Sequence, residues 1–302
     1  MLEIVIINYN TGELTCRCIQ SVFDTIGSAR ILVVDNASTD NSIEEIRGKY
    51  PEIKIIHNSE NLGYAKAVNI GVRNTDSEFV IVSNSDVEFL RSSINEALDV
   101  IQSDESIAVT GFHQLYPGMK YQRSYGRFPG YISGIFDMFF ITSFLKVLNK
   151  YLLNTNRIIY PEYADGAVLL FRRSVFDRLL GFDEDYFFYT EEADFCKRVW
   201  NSGYKVSIAN KARVIHIRGA GREKSDFNEK AEKLLISTKL LFLKKHGTKS
   251  EAKLFKFTQK TYFFNLFVIE LILSKFSTSK KYFSKSQEHL RISKLWKKAE
   301  IE

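Results

Sequence analysis

The chain has 302 residues, of which 45% are hydrophobic and 26% charged, as in ordinary globular proteins. These proportions argue against a disordered, collagen-like or integral membrane chain. The three cysteines, Cys16, Cys18 and Cys196, are too few for a disulfide framework or a four-cysteine zinc site. No secretory signal pattern precedes the first apolar run, and we therefore expect a cytoplasmic protein.

The net charge of +6 is unevenly distributed along the chain. Residues 249–302 contain twelve Lys or Arg and five Glu, a net charge of +7, which leaves residues 1–248 at about −1. Ten aromatic residues are interleaved with these lysines. Such a composition favours a lipid interface or a nucleic-acid surface over a plain solvated face.

From residue 2 to about 110, short apolar runs alternate with helical patterns, which predicts an α/β fold with a mostly parallel central sheet. Near-continuous apolar runs are typical of strands that are covered on both faces. The predicted strands are at 3–7, 31–34, 53–56, 79–82 and 107–109. The predicted helices are at about 13–25, 41–49, 63–73 and 91–103.

Polar residues follow three of these strands, where an open α/β sheet binds its ligands. They are Asn8, Tyr9 and Asn10, then Asp35 and Asn36, then Asn84, Ser85 and Asp86. The chain has neither a dinucleotide-binding glycine fingerprint nor a phosphate-binding P-loop. Carboxylates at this edge suit a diphosphate held through Mg²⁺ or Mn²⁺. The alternative is that Asp35 and Asp86 only cap turns.

Residues 117–164 are less regular, apart from an apolar stretch at 135–145. That stretch predicts either an amphipathic helix that touches an acceptor or lipid, or an ordinary packing helix.

A second chemical region begins with a predicted strand at 165–171 and a helix at about 174–180. Glu191, Glu192 and Asp194 then stand at a predicted helix start, with Glu191 and Asp194 on one face and Glu192 pointing away. Close carboxylates raise one another's pKa and can supply a general base, or they can simply complement a helix N-terminus. His216, at the end of another apolar run, is either a metal ligand or a hydrogen-bonded core residue.

In this order, these residues resemble glycosyltransferase family 2, the inverting enzymes with a GT-A fold, and particularly its rhamnosyltransferase-like bacterial members. The resemblance covers residues 2 to about 247. It rests on linked motifs, namely INYN at 7–10, VVDNASTDNS at 33–42, NSENLGYA at 58–65 with NIG at 69–71, SNSD at 83–86, GFDEDYFF at 181–188, EEAD at 191–194 with GY at 203–204, and VIH at 214–216.

The resemblance implies a nucleotide-sugar site with a divalent cation. Asp86 would be the main Mn²⁺ or Mg²⁺ ligand and His216 the second, and the metal would neutralise the leaving nucleoside diphosphate. The family's first metal-motif acid is the amide Asn84 here. The residues expected to bind the donor are Asn8, Tyr9, Asn10, Asp35, Asn36, Asn61, Asn69, Asn84, Ser85 and Asp165.

Glu192 matches the family's catalytic base, which is usually an aspartate, and we rank it before Asp194 and Glu191. The implied reaction moves a sugar onto a hydroxyl of a lipid-linked cell-surface glycan. The donor that the resemblance favours is dTDP-L-rhamnose, followed by a UDP-hexose or a UDP-N-acetylhexosamine.

We therefore expect a GT-A catalytic domain at 1–247, with a nucleotide-binding part at 1–110 and an acceptor part at 111–247, and a helical extension at 248–302.

The apolar segment 262–273 is too short to span a bilayer. With its lysines, segment 249–298 suits an anionic membrane surface, which would place a peripheral enzyme at the inner face of the plasma membrane, beside a polyprenyl-diphosphate-linked acceptor. Alternatively, 262–273 packs on the catalytic domain or on a second subunit, so an oligomer is possible.

Two other functions compete with this interpretation. A catalytically silent family member could scaffold a polysaccharide-assembly complex, because Asn84 and Glu192 depart from the family pattern. Nucleic-acid binding through the basic aromatic tail would require no carboxylates, and we expect no nucleic-acid partner.

Overall fold

The computed structural model describes residues 1–144, 158–217, 227–276 and 280–301. Within them, two compact units are distinguished by their contacts. The sheet unit comprises 1–127 and 158–217, and the helical unit comprises 128–144, 227–276 and 280–301.

The sheet unit contains eleven described strands and six described helices. The strands are β1 (Leu2–Asn8), β2 (Arg30–Asp35), β3 (Lys54–His57), β4 (Phe79–Asn84), β5 (Val87–Phe89), β6 (Ile107–Tyr116), β7 (Lys120–Tyr121), β8 (Tyr125–Gly126), β9 (Tyr163–Ala164), β10 (Val168–Arg172) and β11 (Lys205–His216). The helices are α1 (Gly12–Ile26), α2 (Ser42–Lys49), α3 (Tyr64–Arg73), α4 (Ser93–Ser103), α6 (Arg173–Arg178) and α7 (Glu191–Asn201).

The main sheet has the strand order β3-β2-β1-β4-β10-β6-β11-β5, and β7 pairs with β6. Strands β3, β2, β1 and β4 are all parallel. Strand β10 then runs antiparallel to both β4 and β6, while β6 and β11 are parallel again. Strands β8 and β9 form a separate small antiparallel sheet.

The core of the sheet unit consists of the apolar strands that the sequence predicted. Ile4, Val33 and Ile81 are completely buried on β1, β2 and β4, and Ile19 of α1 is buried against the same core. The five strands predicted before residue 110 overlap observed ones, the four helices predicted there overlap α1 to α4, and the strand and helix predicted at 165–171 and 174–180 overlap β10 and α6. The predicted α/β class is therefore confirmed, although the sheet is mixed beyond β4.

The helical unit contains α5 (Tyr131–Met138), α8 (Glu229–His246), α9 (Lys249–Phe276) and α10 (Lys280–Lys298). Phe255 of α9 packs edge-on against the buried Trp296 of α10, with ring centroids 5.6 Å apart. Farther along α9, Glu270 Oε2 lies 2.8 Å from His289 Nδ1. The start of α9 therefore contacts the end of α10, and the two helices run antiparallel as a hairpin.

This division differs from the predicted boundary at residue 247, because α5 packs on α9. Gln259 Nε2 of α9 donates to Asp137 Oδ2 of α5 at 2.9 Å. Helix α5 thus packs within the helical unit, and contact of the 135–145 stretch with an acceptor or lipid stays a prediction; residue 145 itself lies outside the described residues. Among the described residues, no helix is sufficiently long and apolar to cross a membrane.

Candidate functional site

The carboxyl ends of β1 and β2 are joined by a buried polar network. Asn8 Nδ2 donates to Asp35 Oδ1 at 2.6 Å and to Ser38 Oγ at 3.0 Å. Asn8 Oδ1 accepts from Thr15 Oγ1 at 2.7 Å. Asn8 and Asp35 are both completely buried, so the strand ends are held in a fixed relation.

Asp35 is kept ionised by the donors around it. Its carboxylate accepts from the hydroxyl and backbone N–H of Ser38, from Asn8, and from His57 Nδ1 at 2.8 Å. Burial raises the pKa of this carboxyl, but these hydrogen bonds outweigh it and leave the pKa below its ordinary value. Half-exposed His57 extends the network towards solvent. Sequence reasoning missed His57, although it ends the third apolar run.

A second group of amides ties β2 to the start of α3. Asn36 Nδ2 donates to Asn61 Oδ1 at 2.9 Å, and Asn36 Oδ1 accepts from Asn58 Nδ2 at 3.0 Å. Gly63 has a φ of 82°, and a Cβ there would lie 2.5 Å from the carbonyl oxygen of Phe187. Only glycine fits this turn, so the loop approaches the segment before α7 closely.

Tyr9 and Asn10 flank the buried pair at the edge of the sheet. Asn10 N donates to Ser38 Oγ at 2.9 Å, and Asn10 Oδ1 accepts from Thr39 N at 2.8 Å. Tyr9 is exposed. These two residues are therefore placed where a ligand at this edge would meet them.

Asn69 has a different environment from the other predicted donor residues. It is buried, its Nδ2 donates to Phe182 O at 2.8 Å and to Glu184 Oε1 at 3.0 Å, and its Oδ1 accepts from Phe182 N at 2.8 Å. Asn69 thus anchors the turn that precedes α7, and a contact between it and a donor stays a prediction.

A third cluster lies where β4 and β11 end. Asp86 Oδ1 is 3.4 Å from His216 Nε2, and both side chains are largely buried. Ser85 Oγ lies 2.7 Å from Thr11 Oγ1, which donates to Asn8 Oδ1 at 2.9 Å. Asn84 closes β4, and its N–H donates to Ala167 O at 2.8 Å. The structure therefore connects Ser85, the residue before the predicted metal ligand Asp86, to the network at Asn8.

The Asp86–His216 pair has the ligand atoms that a divalent cation needs. A carboxylate oxygen and an imidazole nitrogen suit Mn²⁺, and the two atoms converge. Within the described part of the chain, no group of three or more His, Cys, Asp or Glu forms a metal cage. The pair thus fits a cation that takes its remaining ligands from water and from a diphosphate.

Gln114 of β6 is a neighbour of this pair that sequence reasoning missed. Its Oε1 lies 3.0 Å from His216 Nδ1, and its Nε2 donates to Asp165 Oδ1 at 3.1 Å. Gln114 is 1% exposed. The signal in the sequence is a polar residue inside a buried strand. In the structure, Gln114 links His216 to Asp165.

Glu192, at the start of α7, lies beside Asp165 and Gly166. It is partly buried, and a Cβ on Gly166 would lie 3.3 Å from the Cβ of Glu192. Burial, and then the charge of Asp165, raise the pKa of Glu192 to about 7. A carboxyl with this pKa can act as a general base near neutral pH.

Glu191 has the more extreme environment of the two glutamates. It is 4% exposed, and Oε2 has no hydrogen-bond partner among the described residues. Burial, and then the charge of Glu192, raise the pKa of Glu191 well above its ordinary value. Burial thus disfavours the ionised form of Glu191, which makes it less suited than Glu192 to act as a base.

Asp194 is buried in an ion pair. Arg198 Nε lies 2.8 Å from Asp194 Oδ2, and the same guanidinium donates to the carbonyl oxygens of Leu179 and Gly181 at 2.6 and 2.9 Å. Asp194 therefore anchors the chain before α7. Of the three predicted candidates, Glu192 has the environment that best suits a base.

Family comparisons match most of the sheet unit. A model described as Glycosyl transferase family 2 matches residues 3–180. A model described as the N-terminal domain of galactosyltransferase matches residues 153–220.

Two curated relatives carry related names. The N-acetylglucosaminyl-diphospho-decaprenol L-rhamnosyltransferase of Mycobacterium tuberculosis is 28% identical over 234 residues, which covers 72% of this chain and 76% of the relative. A low-salt glycan biosynthesis hexosyltransferase of Haloferax volcanii is 26% identical over 222 residues, which covers 71% of this chain and 66% of the relative.

Solved structures with the same fold include a mannosyltransferase from Pyrobaculum calidifontis in complex with GDP-Man and Mn²⁺. The match has a TM-score of 0.62 at 16% identity, and it covers 99% of this chain and 88% of the mannosyltransferase chain. GalNAc-T7 with UDP, GalNAc and Mn²⁺ has a TM-score of 0.59 at 16% identity, over 80% of this chain and 48% of its own. These similarities confirm the predicted GT-A fold.

Proposed function

Because the chain belongs to glycosyl transferase family 2, we propose that it is an inverting transferase that moves a sugar from a nucleotide donor onto a lipid-linked glycan. The observation that carries this proposal is Glu192, a carboxyl with a pKa of about 7. It adjoins Asp165, which is connected through Gln114 and His216 to Asp86. A candidate base and a candidate cation site thus belong to one arrangement.

In the proposed reaction, the ionised carboxylate of Glu192 takes the proton from an acceptor hydroxyl. The freed oxygen attacks the anomeric carbon, and the bond from that carbon to the nucleoside diphosphate breaks on the opposite face. A single displacement of this kind inverts the configuration. Asp86 and His216 would hold a divalent cation, Mn²⁺ or Mg²⁺, which supplies charge neutralisation for the diphosphate.

For the donor, we propose a nucleoside bound at the edge formed by Asn8, Asp35 and Asn36. The hydrogen bonds within this edge fix its polar atoms before a ligand arrives, which lowers the ordering cost of binding. The similarity to the L-rhamnosyltransferase favours dTDP-L-rhamnose, with a UDP-hexose or UDP-N-acetylhexosamine as the next choice. The same relative's name supports a polyprenyl-diphosphate-linked acceptor.

A thermal-shift panel tests nucleotide, metal and site together, because a ligand that binds only the folded state raises its apparent stability. Wild type and Asp86→Ala are heated with UDP, dTDP and their sugar conjugates, with and without Mn²⁺. We expect a Mn²⁺-dependent shift with one nucleotide that is lost in Asp86→Ala. The matched control is Asp99→Ala, which removes an exposed acid on α4.

No shift with any nucleotide would contradict the transferase and favour the silent scaffold. Conversely, turnover of any nucleotide sugar would contradict the alternative that the protein is a catalytically silent scaffold. A nucleotide-induced shift that does not depend on Mn²⁺ would support the proposed nucleotide site and contradict the proposed metal site.

We also propose that the helical unit contacts an anionic membrane through the second half of α9 and the first turns of α10. Large apolar side chains are exposed there, namely Phe264, Ile269, Ile272, Leu273, Phe276, Tyr282 and Phe283. Exposed Lys275, Lys281 and Lys285 lie among them, and residues 271–287 include no Asp or Glu. Aromatic side chains with surrounding lysines suit the interface of a negatively charged bilayer. This contact would place the enzyme at the inner face of the plasma membrane.

Flotation with phosphatidylglycerol vesicles and with neutral vesicles tests the membrane proposal. Phe276 is 86% exposed, and a Phe276→Glu and Phe283→Glu double variant should lose binding to the anionic vesicles. Leu180 of the sheet unit is 83% exposed, so Leu180→Glu is the matched control and should float like wild type. A double variant that still floats would overturn the proposal, and one that changes only self-association would favour a second subunit.

A further inference from the structure

The orientation of the Gln114 amide is determined by its neighbour Asp165. Asp165 Oδ1 accepts from Ala167 N at 3.2 Å and lies 3.1 Å from the amide of Gln114. Because a carboxylate oxygen is an acceptor, the NH₂ group of Gln114 must face it. The amide oxygen therefore faces the imidazole of His216, 3.0 Å from Nδ1.

This orientation determines which nitrogen of His216 carries the proton. A carbonyl oxygen only accepts, so Nδ1 must donate its hydrogen to Gln114. In a neutral imidazole, Nε2 then carries the lone pair, and Nε2 is the atom that lies 3.4 Å from Asp86 Oδ1. Two electron-rich atoms thus face each other, an arrangement that a shared divalent cation stabilises.

We propose that Gln114 is a positioning residue that fixes His216 in the Nδ1–H tautomer and so presents Nε2 to the cation. This inference rests on the metal site of the proposed function. Gln114 would act through His216, as the second hydrogen-bond partner of metal-bound histidines commonly does.

The surroundings of Gln114 brace it for this role. The backbone N–H of Gln114 donates to Ser124 Oγ at 2.8 Å, and its backbone carbonyl oxygen accepts from Gln122 N at 3.1 Å. In the parallel ladder between β6 and β11, Gln114 is in register with Val214. The side chain therefore reaches His216 from a strand that is fixed on both sides.

The test measures Mn²⁺ affinity by electron paramagnetic resonance, with UDP and dTDP in parallel and with no sugar donor or acceptor, so that no turnover is involved. In Gln114→Leu, His216 loses the acceptor for Nδ1–H, and we expect affinity to fall about 10- to 100-fold. In Gln114→Glu, a carboxyl that shares a proton with Asp165 still offers an oxygen to Nδ1–H. Affinity should stay within about threefold of wild type, a far smaller loss than that of the leucine variant.

The matched control is Gln122→Leu. Gln122 is equally buried, and its Nε2 lies 3.5 Å from the backbone oxygen of His216. The control should bind Mn²⁺ like wild type, because it changes no contact with the imidazole ring. Gln114→Met, which keeps the length of the side chain, repeats the test if Gln114→Leu does not fold.

Three outcomes would overturn the inference. Unchanged affinity in the leucine or methionine variant would show that His216 does not need this acceptor. Equal losses in the leucine and glutamate variants would indicate damaged packing. A wild type that binds nucleotide but no Mn²⁺ would remove the metal site and this inference together, while the nucleotide site of the proposed function would stand.

Discussion

Asp35 and Glu192 are acids of the same unit whose pKa values move in opposite directions. Burial raises the pKa of both carboxyls, yet the pKa of Asp35 is lowered while that of Glu192 is raised to about 7. Asp35 is surrounded by donors, whereas Glu192 adjoins the like charge of Asp165. Burial, with Asp165 adding to it, thus sets the direction of the pKa shift at Glu192, whereas the surrounding donors reverse the effect of burial at Asp35.

The same contrast separates the proposed nucleoside-binding edge from the proposed general base. At the strand ends, Asn8 and Asp35 satisfy each other's polar atoms. At the start of α7, beside Glu192, Glu191 Oε2 has no hydrogen-bond partner among the described residues. Perturbed carboxyls of this kind are typical of catalytic sites.

The largest expected effect is on the reaction rate. Glu192→Gln removes the base without changing the nucleotide edge, so the turnover number should fall by about 10² to 10⁴. The nucleotide-induced thermal shift should stay the same. Steady-state kinetics and thermal shift on one preparation provide both readouts. If Glu191→Gln loses more turnover than Glu192→Gln, the base is wrongly assigned.

The next effect is on the stability of the strand ends. Asp35→Ala leaves the buried amide of Asn8 and the partly buried hydroxyl of Ser38 without their acceptor. We expect the free energy of unfolding to fall by about 2–4 kcal/mol, measured by urea denaturation. Asp99→Ala, on the surface of α4, should change it by less than about 0.5 kcal/mol. A similar small change in Asp35→Ala would contradict the proposed rigidity of this edge.

A smaller effect concerns stability as a function of pH. Because folding raises the pKa of Glu192 from 4.5 to about 7, the folded state binds the proton more tightly. The resulting stabilisation is complete below pH 4.5 and is lost as the pH rises through about 7. Glu192→Gln removes this loss, so at pH 8 it should be more stable than wild type by about 1–2 kcal/mol. Thermal melts from pH 5 to 8 should show the two proteins diverging as the pH rises, and parallel curves would contradict the raised pKa.

The smallest effect is on the pH profile of the reaction. The ratio kcat/KM should rise with pH up to about 7, because Glu192 must lose its proton to act as the base. Asp165→Asn removes a charge that raises this pKa, so the profile should move to lower pH. Asp165→Asn should reverse only part of the rise in the pKa of Glu192, since burial is the larger cause of that rise. An unmoved profile would mean that Asp165 does not act on Glu192 electrostatically.

Much of the fold was predictable because its information is local. Strands β1 to β4 are apolar runs that lie between helices of ordinary length, so their pattern is readable without distant contacts. The antiparallel insertion of β10 was not predictable in this way, since its neighbours β4 and β6 lie far away along the chain. The packing of α5 on α9 is equally non-local.

The candidate site divides in the same way. Asp35, Asp86 and Glu192 were identified from motifs at the ends of elements, whereas the partner of His216 was not. Gln114 and His216 are 102 residues apart, and only the register of β6 against β11 brings them together. By contrast, the contact between Asp194 and Arg198 spans four residues of one helix, a spacing that the sequence already displays.

Tyr64 has a consequence for how chimeras of this chain can be built. Its backbone N–H donates to Phe187 O at 2.7 Å, and its hydroxyl donates to Gly166 O at 3.0 Å. One residue of the predicted nucleotide-binding part thereby contacts both segments that surround Glu192. A chimera that takes residues 1–110 from one relative and the remainder from another would inherit the two halves of this contact from different parents. Because both acceptors are backbone oxygens, such a chimera keeps the hydroxyl contact with Gly166 only if the parent of residues 1–110 also has a tyrosine at position 64.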